Sequence, residues 1–196
     1  MMTMGWVLGL PDLTLPINAT KLARNFGPAR DEGLIDWVVI HTMEDPEGIN
    51  SAVSVAAWFA GPQAPRASAH FCVDATHTIQ CVPLGQEAWA APGANHRGVH
   101  IEHAGYASQT KAEWEDDYSR ATLESSAALA AALARKYSVP LVRLSAADLV
   151  AGKRGFCGHV DVTNAFNAGK GHTDPGPHFP WEAYLAKVAE LASTFA

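Results

Sequence analysis

A short, unbroken apolar run that ends on a histidine is the feature that most constrains the fold of this chain. Residues 37–40 (WVVI) form the run, and His41 follows it. Consecutive β-branched apolar residues without alternation predict a strand that is buried on both faces, as in α/β proteins. Side chains at strand ends project into clefts, where functional sites collect. We therefore expect a central strand that delivers His41 to a site, although a simple hydrogen bond to the backbone is the alternative for this histidine alone.

The segments around this strand alternate between extended and helical patterns. Further strands are predicted at 69–74 and 78–82 as a hairpin, at 98–103, and at 156–160 as a strand or extended loop. Predicted helices cover 51–60, 111–137, 146–150 and 181–194, whereas residues 164–178 are predicted to be loop. This alternation predicts an α/β fold with a mixed central β-sheet flanked by α-helices. Residues 1–34 are rich in proline and glycine, and we expect them to wrap the same domain as an arm.

Length and charge exclude several classes of function. The chain has 196 residues, enough for one domain, and its formal net charge of −6 argues against a nucleic-acid partner. It has no apolar run long enough to insert into a membrane, and residues 1–6 lack the basic residues of a signal peptide. We expect a monomer that is made in a cytoplasm without a signal peptide, so that another factor must deliver it to any substrate outside the membrane.

The histidines cluster near the C-terminal end. The chain has nine, and three of them lie between residues 159 and 178 together with two aspartates. Zinc is bound by histidine nitrogens with a carboxylate or thiolate, and one position stays open for water when the site is catalytic. Together with His41, this cluster predicts a metal centre, and a polar surface loop is the alternative.

A carboxylate on a predicted strand adds a candidate proton acceptor. In the segment 98–103 (GVHIEH), Glu102 points the same way as His100 and opposite Ile101 and His103. A carboxylate held on a sheet beside a metal could act as a general base toward water. The alternative is that Glu102 belongs to the exposed polar face of a strand.

Two cysteines in the predicted hairpin form a candidate pair. If the turn centres on residues 76–77, Cys72 and Cys81 face each other across the hairpin, which would allow a disulfide. A cytoplasm would keep both thiols reduced. The sequence leaves both states open.

Several motifs occur together in one order, from about residue 35 to the end of the chain, and they carry a family resemblance. They are residues 38–42 (VVIHT), 67–74 (ASAHFCVD), 88–90 (AWA), 98–102 (GVHIE), 158–159 (GH) and 174–181 (DPGPHFPW). This set resembles the zinc-dependent N-acetylmuramoyl-L-alanine amidases of the second type, in the superfamily of the peptidoglycan recognition proteins. Residues 158–161 and 172–177 look especially like the amidase domains of endolysins from phages of actinobacteria.

The resemblance implies a catalytic domain over residues 35–196 that acts on peptidoglycan. Its zinc ligands would be His41, His159 and Asp174, and Glu102 would be the catalytic carboxylate. The bond cut would join the lactyl group of N-acetylmuramic acid to the first L-alanine of the stem peptide, in keeping with lysis of a host cell by a phage. His172 stands where many relatives have a lysine, and we expect it to donate to the oxyanion.

We also expect a groove that binds the substrate, and one motif of this chain differs from the family pattern. We expect Trp89, His100 and Tyr106 to line the groove. Trp58 is a further candidate, but packing in the core is favoured for it because it lies on a predicted amphipathic helix. Many relatives have Trp-His where this chain has Trp89-Ala90, so the role of that histidine is lost or is supplied by His96 or His100.

Two other functions compete with the amidase. A non-catalytic peptidoglycan-binding module would lack a metal ligand, but here Asp174 is present. A cysteine peptidase would pair Cys157 with His159, but two residues on one strand have poor geometry for attack. Cys157 as a metal ligand is disfavoured because Asp174 already completes the set.

Overall fold

The computed structural model describes residues 14–166 and 171–194. Within them, six strands form one sheet in the order β1-β4-β3-β5-β2-β6. The strands are β1 (Ala19–Thr20), β2 (Trp37–Thr42), β3 (Phe71–Val73), β4 (Thr78–Gln80), β5 (Gly98–His103) and β6 (Gly155–Gly158). The helices are α1 (Ser51–Ala60), α2 (Lys111–Trp114), α3 (Asp117–Tyr137), α4 (Ala146–Val150), α5 (His159–Phe166) and α6 (Trp181–Ser193).

The sheet is mixed, and β2 lies inside it. β2 pairs in parallel with β5 on one side and with β6 on the other, whereas β3 and β4 pair antiparallel. All six residues of β2 are buried, as the unbroken apolar run predicts. The expected α/β class, a mixed central sheet flanked by helices, is confirmed.

Helices cover both faces of this sheet, but they cover the second face only in part. On the first face, α3 and α6 pack over Val38, Ile40 and Ile101. On the second face, α1 covers β3 and β4, while α4 and α5 cover the start of β2 and β6. The opening between these two groups of helices lies over the ends of β2 and β5.

Two predicted elements are wrong. The single helix predicted over 111–137 is divided into α2 and α3, because the Asp116 carboxylate accepts the backbone N–H of Ser119 and so caps a new helix. The loop predicted from residue 164 is helical at its start, since α5 runs from His159 to Phe166 directly after β6. The spacing of Val162, Ala165 and Phe166 is the helical signal that could have revealed α5.

The hairpin forms, but in a different register. Cys72 pairs with Ile79 rather than with Cys81. The cause is Asp74, whose carboxylate accepts the backbone N–H groups of Thr76 and His77 and so fixes a tighter turn over residues 74–77. The sulfurs of Cys72 and Cys81 still lie 3.7 Å apart, and both cysteines are free thiols.

Residues 14–34 lie along the edge of the sheet and the loops beside it. β1 pairs with β4, and the backbone N–H groups of Ala23, Gly27 and Arg30 donate to loop and hairpin carbonyls beyond it. The predicted arm also includes residues 1–13, which lie outside the described residues. None of the helices in the described part of the chain combines the length and apolar character that a membrane crossing requires.

Candidate active site

The register of the central strands places two predicted site residues side by side. In the parallel pair β2–β5, His41 is the partner of Glu102. Partners in a ladder point to the same face of the sheet, so both side chains project from the second face, beneath the opening between helices. The Glu102 side chain therefore points to the face opposite Ile101 and His103, as the strand pattern predicts.

The other two predicted ligands reach the same place from β6 and from the loop before α6. The partner of Gly158 is Ile40, so His159, the next residue, starts α5 beside His41. The carbonyl of Asp174 accepts the backbone N–H of Val160, which holds the loop against α5. Gly158 permits this approach, because a Cβ there would lie 2.5 Å from Cδ of Pro175.

His41, His159 and Asp174 form a compact buried cluster. The Nδ1 atom of His41 lies 3.1 Å from one carboxylate oxygen of Asp174, and Nδ1 of His159 lies 3.3 Å from the other. Their potential ligand atoms all lie within 4.8 Å of one another. Two imidazoles and one carboxylate are a donor set that catalytic zinc sites use, so this cluster can hold a metal ion.

The charge states of the cluster suit metal binding. Burial lowers the pKa of His41, so its ring is neutral, which is the form that binds metal. Burial alone would raise the pKa of Asp174, but hydrogen bonds to His159 and His41 hold that pKa well below its usual range. The site therefore offers an ionised carboxylate beside a neutral imidazole.

Glu102 lies beside this cluster in an environment that disfavours its charge. Burial, and then the negative charges of Asp174 and Glu44, raise the pKa of Glu102 well above its usual value. Its buried Oε2 atom has no hydrogen-bond partner among the described residues. A carboxyl group with a raised pKa and a free oxygen is suited to accept and return a proton.

His172 lies over the cluster from the solvent side. Its ring stacks on His159 with centroids 3.8 Å apart, and its Nδ1 lies 3.6 Å from a carboxylate oxygen of Asp174. Half of the side chain is exposed, in contrast to the three buried residues below it. His172 is therefore placed where its ring can meet a molecule that enters from solvent.

A cleft of about 210 Å³ opens above these residues. Its lining includes His41, Glu102, His159, His172, Asp174, Trp58, Trp89, Met43, Val55 and Ser68. The predicted groove residue Trp89 is part of this wall. Trp58, which was expected in the core, is 56% exposed and lines the cleft, because its side of α1 faces the opening rather than the sheet.

Two predicted groove residues lie elsewhere. His100 and Tyr106 are not among the described residues that line the cleft. His100 is completely buried, because it lies two residues before Glu102 on β5 and so roughly 7 Å further from the strand end. Tyr106 is partly exposed in the loop after β5, where its backbone N–H donates to the side chain of Gln109.

Cys157 is remote from solvent and does not belong to the site. The side chain is completely buried in the apolar cluster with Val39 and Val162, and burial raises the pKa of its thiol. A buried thiol with a raised pKa is a poor nucleophile. This position contradicts a cysteine peptidase that uses Cys157.

Three solved structures, each at most 22% identical in sequence, share the fold of this chain. The hydrolase AmiA of Staphylococcus aureus, solved with its ligand, has a TM-score of 0.64 at 18% identity, over 89% of this chain and 82% of that chain. A selenomethionine derivative of AmpD has a TM-score of 0.63 at 22% identity, over 92% and 99%. The endolysin amidase LysCS of Clostridium intestinale has a TM-score of 0.54 at 19% identity, over 88% and 95%.

The sequence itself gives the family. No curated protein sequence matches this chain. The profile of the N-acetylmuramoyl-L-alanine amidase family matches residues 31–177, a span that contains all three residues of the buried cluster and both Glu102 and His172. This chain belongs to the N-acetylmuramoyl-L-alanine amidase family.

Proposed function

We propose that this protein is a zinc-dependent amidase that cuts peptidoglycan between the lactyl group of N-acetylmuramic acid and the L-alanine of the stem peptide. The observation that carries the proposal is the convergence of His41, His159 and Asp174 in one cleft beside Glu102. Membership of the amidase family supports the bond type and the substrate class.

His41, His159 and Asp174 would hold the zinc ion. Once bound, zinc supplies a Lewis acid that polarises the amide carbonyl and makes water acidic enough to react near neutral pH. Two neutral imidazoles and one carboxylate leave a net charge of +1 at such a site, which preserves its Lewis acidity. All three side chains are buried, so few solvent contacts are lost when the ion binds.

Glu102 would transfer the proton. It takes a proton from the attacking water and delivers it to the alanine nitrogen as the amide bond breaks, because an amine leaves only after protonation. A raised pKa makes the ionised Glu102 carboxylate a stronger proton acceptor, which favours the first transfer. Its Oε2 has no hydrogen-bond partner in the described part of the chain, so this oxygen is available to the reacting groups.

His172 and the aromatic walls would position the substrate. A ring N–H of His172 can donate to the carbonyl oxygen as that oxygen gains negative charge. Trp58 and Trp89 present apolar surface to the cleft, and such surface suits sugar rings and the methylene groups of a stem peptide.

The proposal extends to the biological setting. The motifs at residues 158–161 and 172–177 support a phage endolysin that lyses its host. A monomer would act on the cell wall after delivery by another factor, without a nucleic-acid partner, consistent with the net charge of −6.

Digestion of purified peptidoglycan tests the reaction. We expect intact stem peptides with a free N-terminal alanine in the mass spectrum, loss of this activity in EDTA, and its return with added zinc. New reducing sugar ends, or cuts within the peptide, would contradict the proposal. Binding to peptidoglycan without any new ends would identify a non-catalytic module instead.

Metal analysis tests the ligands. The protein should contain one zinc per chain, and His159→Ala should lose it. The matched control is His178→Ala, because His178 is an exposed histidine that follows Asp174 and lies outside the cleft lining. Full zinc retention in His159→Ala would remove His159 from the ligand set.

A further inference from the structure

The two ring nitrogens of His41 have different partners. Nδ1 lies 3.1 Å from the carboxylate of Asp174, on the side of the metal-binding cluster. Nε2 points away from the cluster and lies 3.0 Å from Nδ1 of His100. A neutral imidazole carries one proton, so the choice of ligand nitrogen decides which partner receives the hydrogen bond.

His100 is the acceptor that this choice requires. When Nδ1 of His41 binds a metal, the ring proton must lie on Nε2, and it can only be donated to an unprotonated Nδ1 of His100. His100 is completely buried, and its own Nε2 has no partner among the described residues.

A second buried histidine holds His100 in place. The rings of His70 and His100 stack with centroids 5.6 Å apart at an angle of 9°, and Nδ1 of His70 accepts the backbone N–H of His100. The proton of His70 must then lie on Nε2, which is 3.1 Å from the carbonyl of Gln86.

A buried arginine closes the chain of contacts. Arg30 donates to the carbonyls of Leu84 and Gly98, and these hydrogen bonds fix its positive charge beside the ring of His70. After burial, this positive charge is the main cause that lowers the pKa of His70. His70 therefore supports His100 in the core, and His100 in turn contacts the metal-binding residue His41.

We propose that His100 is a positioning residue for the metal centre: it accepts the Nε2 proton of His41 and so commits Nδ1 of His41 to the metal. The inference rests on the proposed function, because it assumes that zinc binds at His41. Partners of this kind that orient a ligand typically change metal affinity or activity by 10- to 100-fold when they are removed.

Zinc affinity, measured by competition with a chromophoric chelator, tests the role directly. His100→Leu keeps an apolar volume but removes the acceptor, and we expect its zinc affinity to fall by roughly 10- to 100-fold. His100→Asn places a carbonyl oxygen near the position of Nδ1, and we expect it to retain most of the affinity of the wild type. This rescue separates hydrogen-bond acceptance from packing.

His103→Leu is the matched control. His103 is also completely buried on β5, but it points to the opposite face, and its contact with His41 is to the backbone carbonyl rather than to the ring. We expect this variant to lose stability and keep its zinc affinity. Thermal unfolding of each metal-free variant shows whether it is folded, and His100→Val replaces His100→Leu if the leucine variant does not fold.

The outcomes separate the positioning role of His100 from the proposed metal site. Zinc affinity in His100→Leu or His100→Val equal to that of the wild type would overturn the positioning role. An equal loss in His100→Leu and His100→Asn would overturn it as well, because packing alone would then explain the effect. A wild-type protein that binds no zinc would overturn the proposed metal site, and with it this inference.

Discussion

Acid should destabilise this protein strongly, and His103 allows the effect to be calculated. Its Nδ1 lies 3.0 Å from the backbone carbonyl of His41, and its Nε2 lies 2.6 Å from the hydroxyl of Ser126. That hydroxyl is also 2.8 Å from the hydroxyl of Tyr184. A neutral His103 ring satisfies both contacts: its Nδ1–H donates to the carbonyl of His41, and its Nε2 accepts from the hydroxyl of Ser126. Burial lowers the pKa of His103 to about 4.

The difference between folded and unfolded pKa values sets the magnitude. Histidine in an unfolded chain has a pKa of about 6.5, so between about pH 6.5 and pH 4 the unfolded chain binds a proton that the folded protein does not. Stability from His103 is therefore present above pH 6.5 and is lost as the pH falls through this range. Between pH 7 and pH 5 the loss from this residue is about 2 kcal/mol.

Urea unfolding at pH 7 and pH 5 measures the loss. The comparison is between the wild type and His103→Gln, which has no titratable group at this position. Other buried groups that titrate, such as His70 and His100, contribute to both proteins, so the difference between the two losses isolates His103. We expect the variant to lose about 2 kcal/mol less than the wild type over this range.

Equal losses in the two proteins would refute the reasoning. If His103→Gln is too unstable to measure, the wild-type His103 can be titrated by NMR through its ring Cε1 proton. A resonance that stays at its neutral position down to pH 5 supports the lowered pKa. A midpoint near pH 6.5 would refute it.

Three further predictions concern the site and the hairpin. Glu102→Gln should keep zinc and fold but lose most amidase activity, because only the proton-accepting charge is removed; normal turnover would place the base elsewhere. His172→Ala should lose roughly 100-fold or more in rate with zinc retained, and His172→Lys should keep substantial activity; zinc loss in His172→Ala would make it a ligand instead. Cys72 and Cys81 should resist alkylation until the protein unfolds, since both are buried thiols, and rapid labelling of the native protein would contradict this.

Local pattern was sufficient where one physical force dominates a segment. The run at 37–40 had to be buried on both faces, and the structure places it in the middle of the sheet as β2. The alternation at 98–103 gave the direction of Glu102, because a strand has only two faces. The order of the motifs then pointed to His41, His159 and Asp174, which the structure brings together.

The sequence could not predict how deeply each side chain is buried or which tertiary contacts it makes. Period-two alternation places His100 and Glu102 on the same face, but it does not show that His100 is buried against His70 while Glu102 lines the cleft. Helical spacing assigns Trp58 to one side of α1. It does not show whether that side faces the sheet or the cleft. The hairpin register depended on one carboxylate, that of Asp74, whose hydrogen bonds compete with the simplest turn.

The parallel pairing of β2 has a consequence for how the chain folds. Its two neighbours begin at Gly98 and Gly155, so β2 cannot complete its hydrogen bonds until long stretches of chain have been brought back to it. Such non-local pairings slow folding, because the entropy of closing large loops must be overcome before the contacts form. His41 lies on β2 and Asp174 in the loop before α6, so their segments are far apart in the sequence. A chain in which these pairings have not formed therefore lacks the cluster of His41, His159 and Asp174.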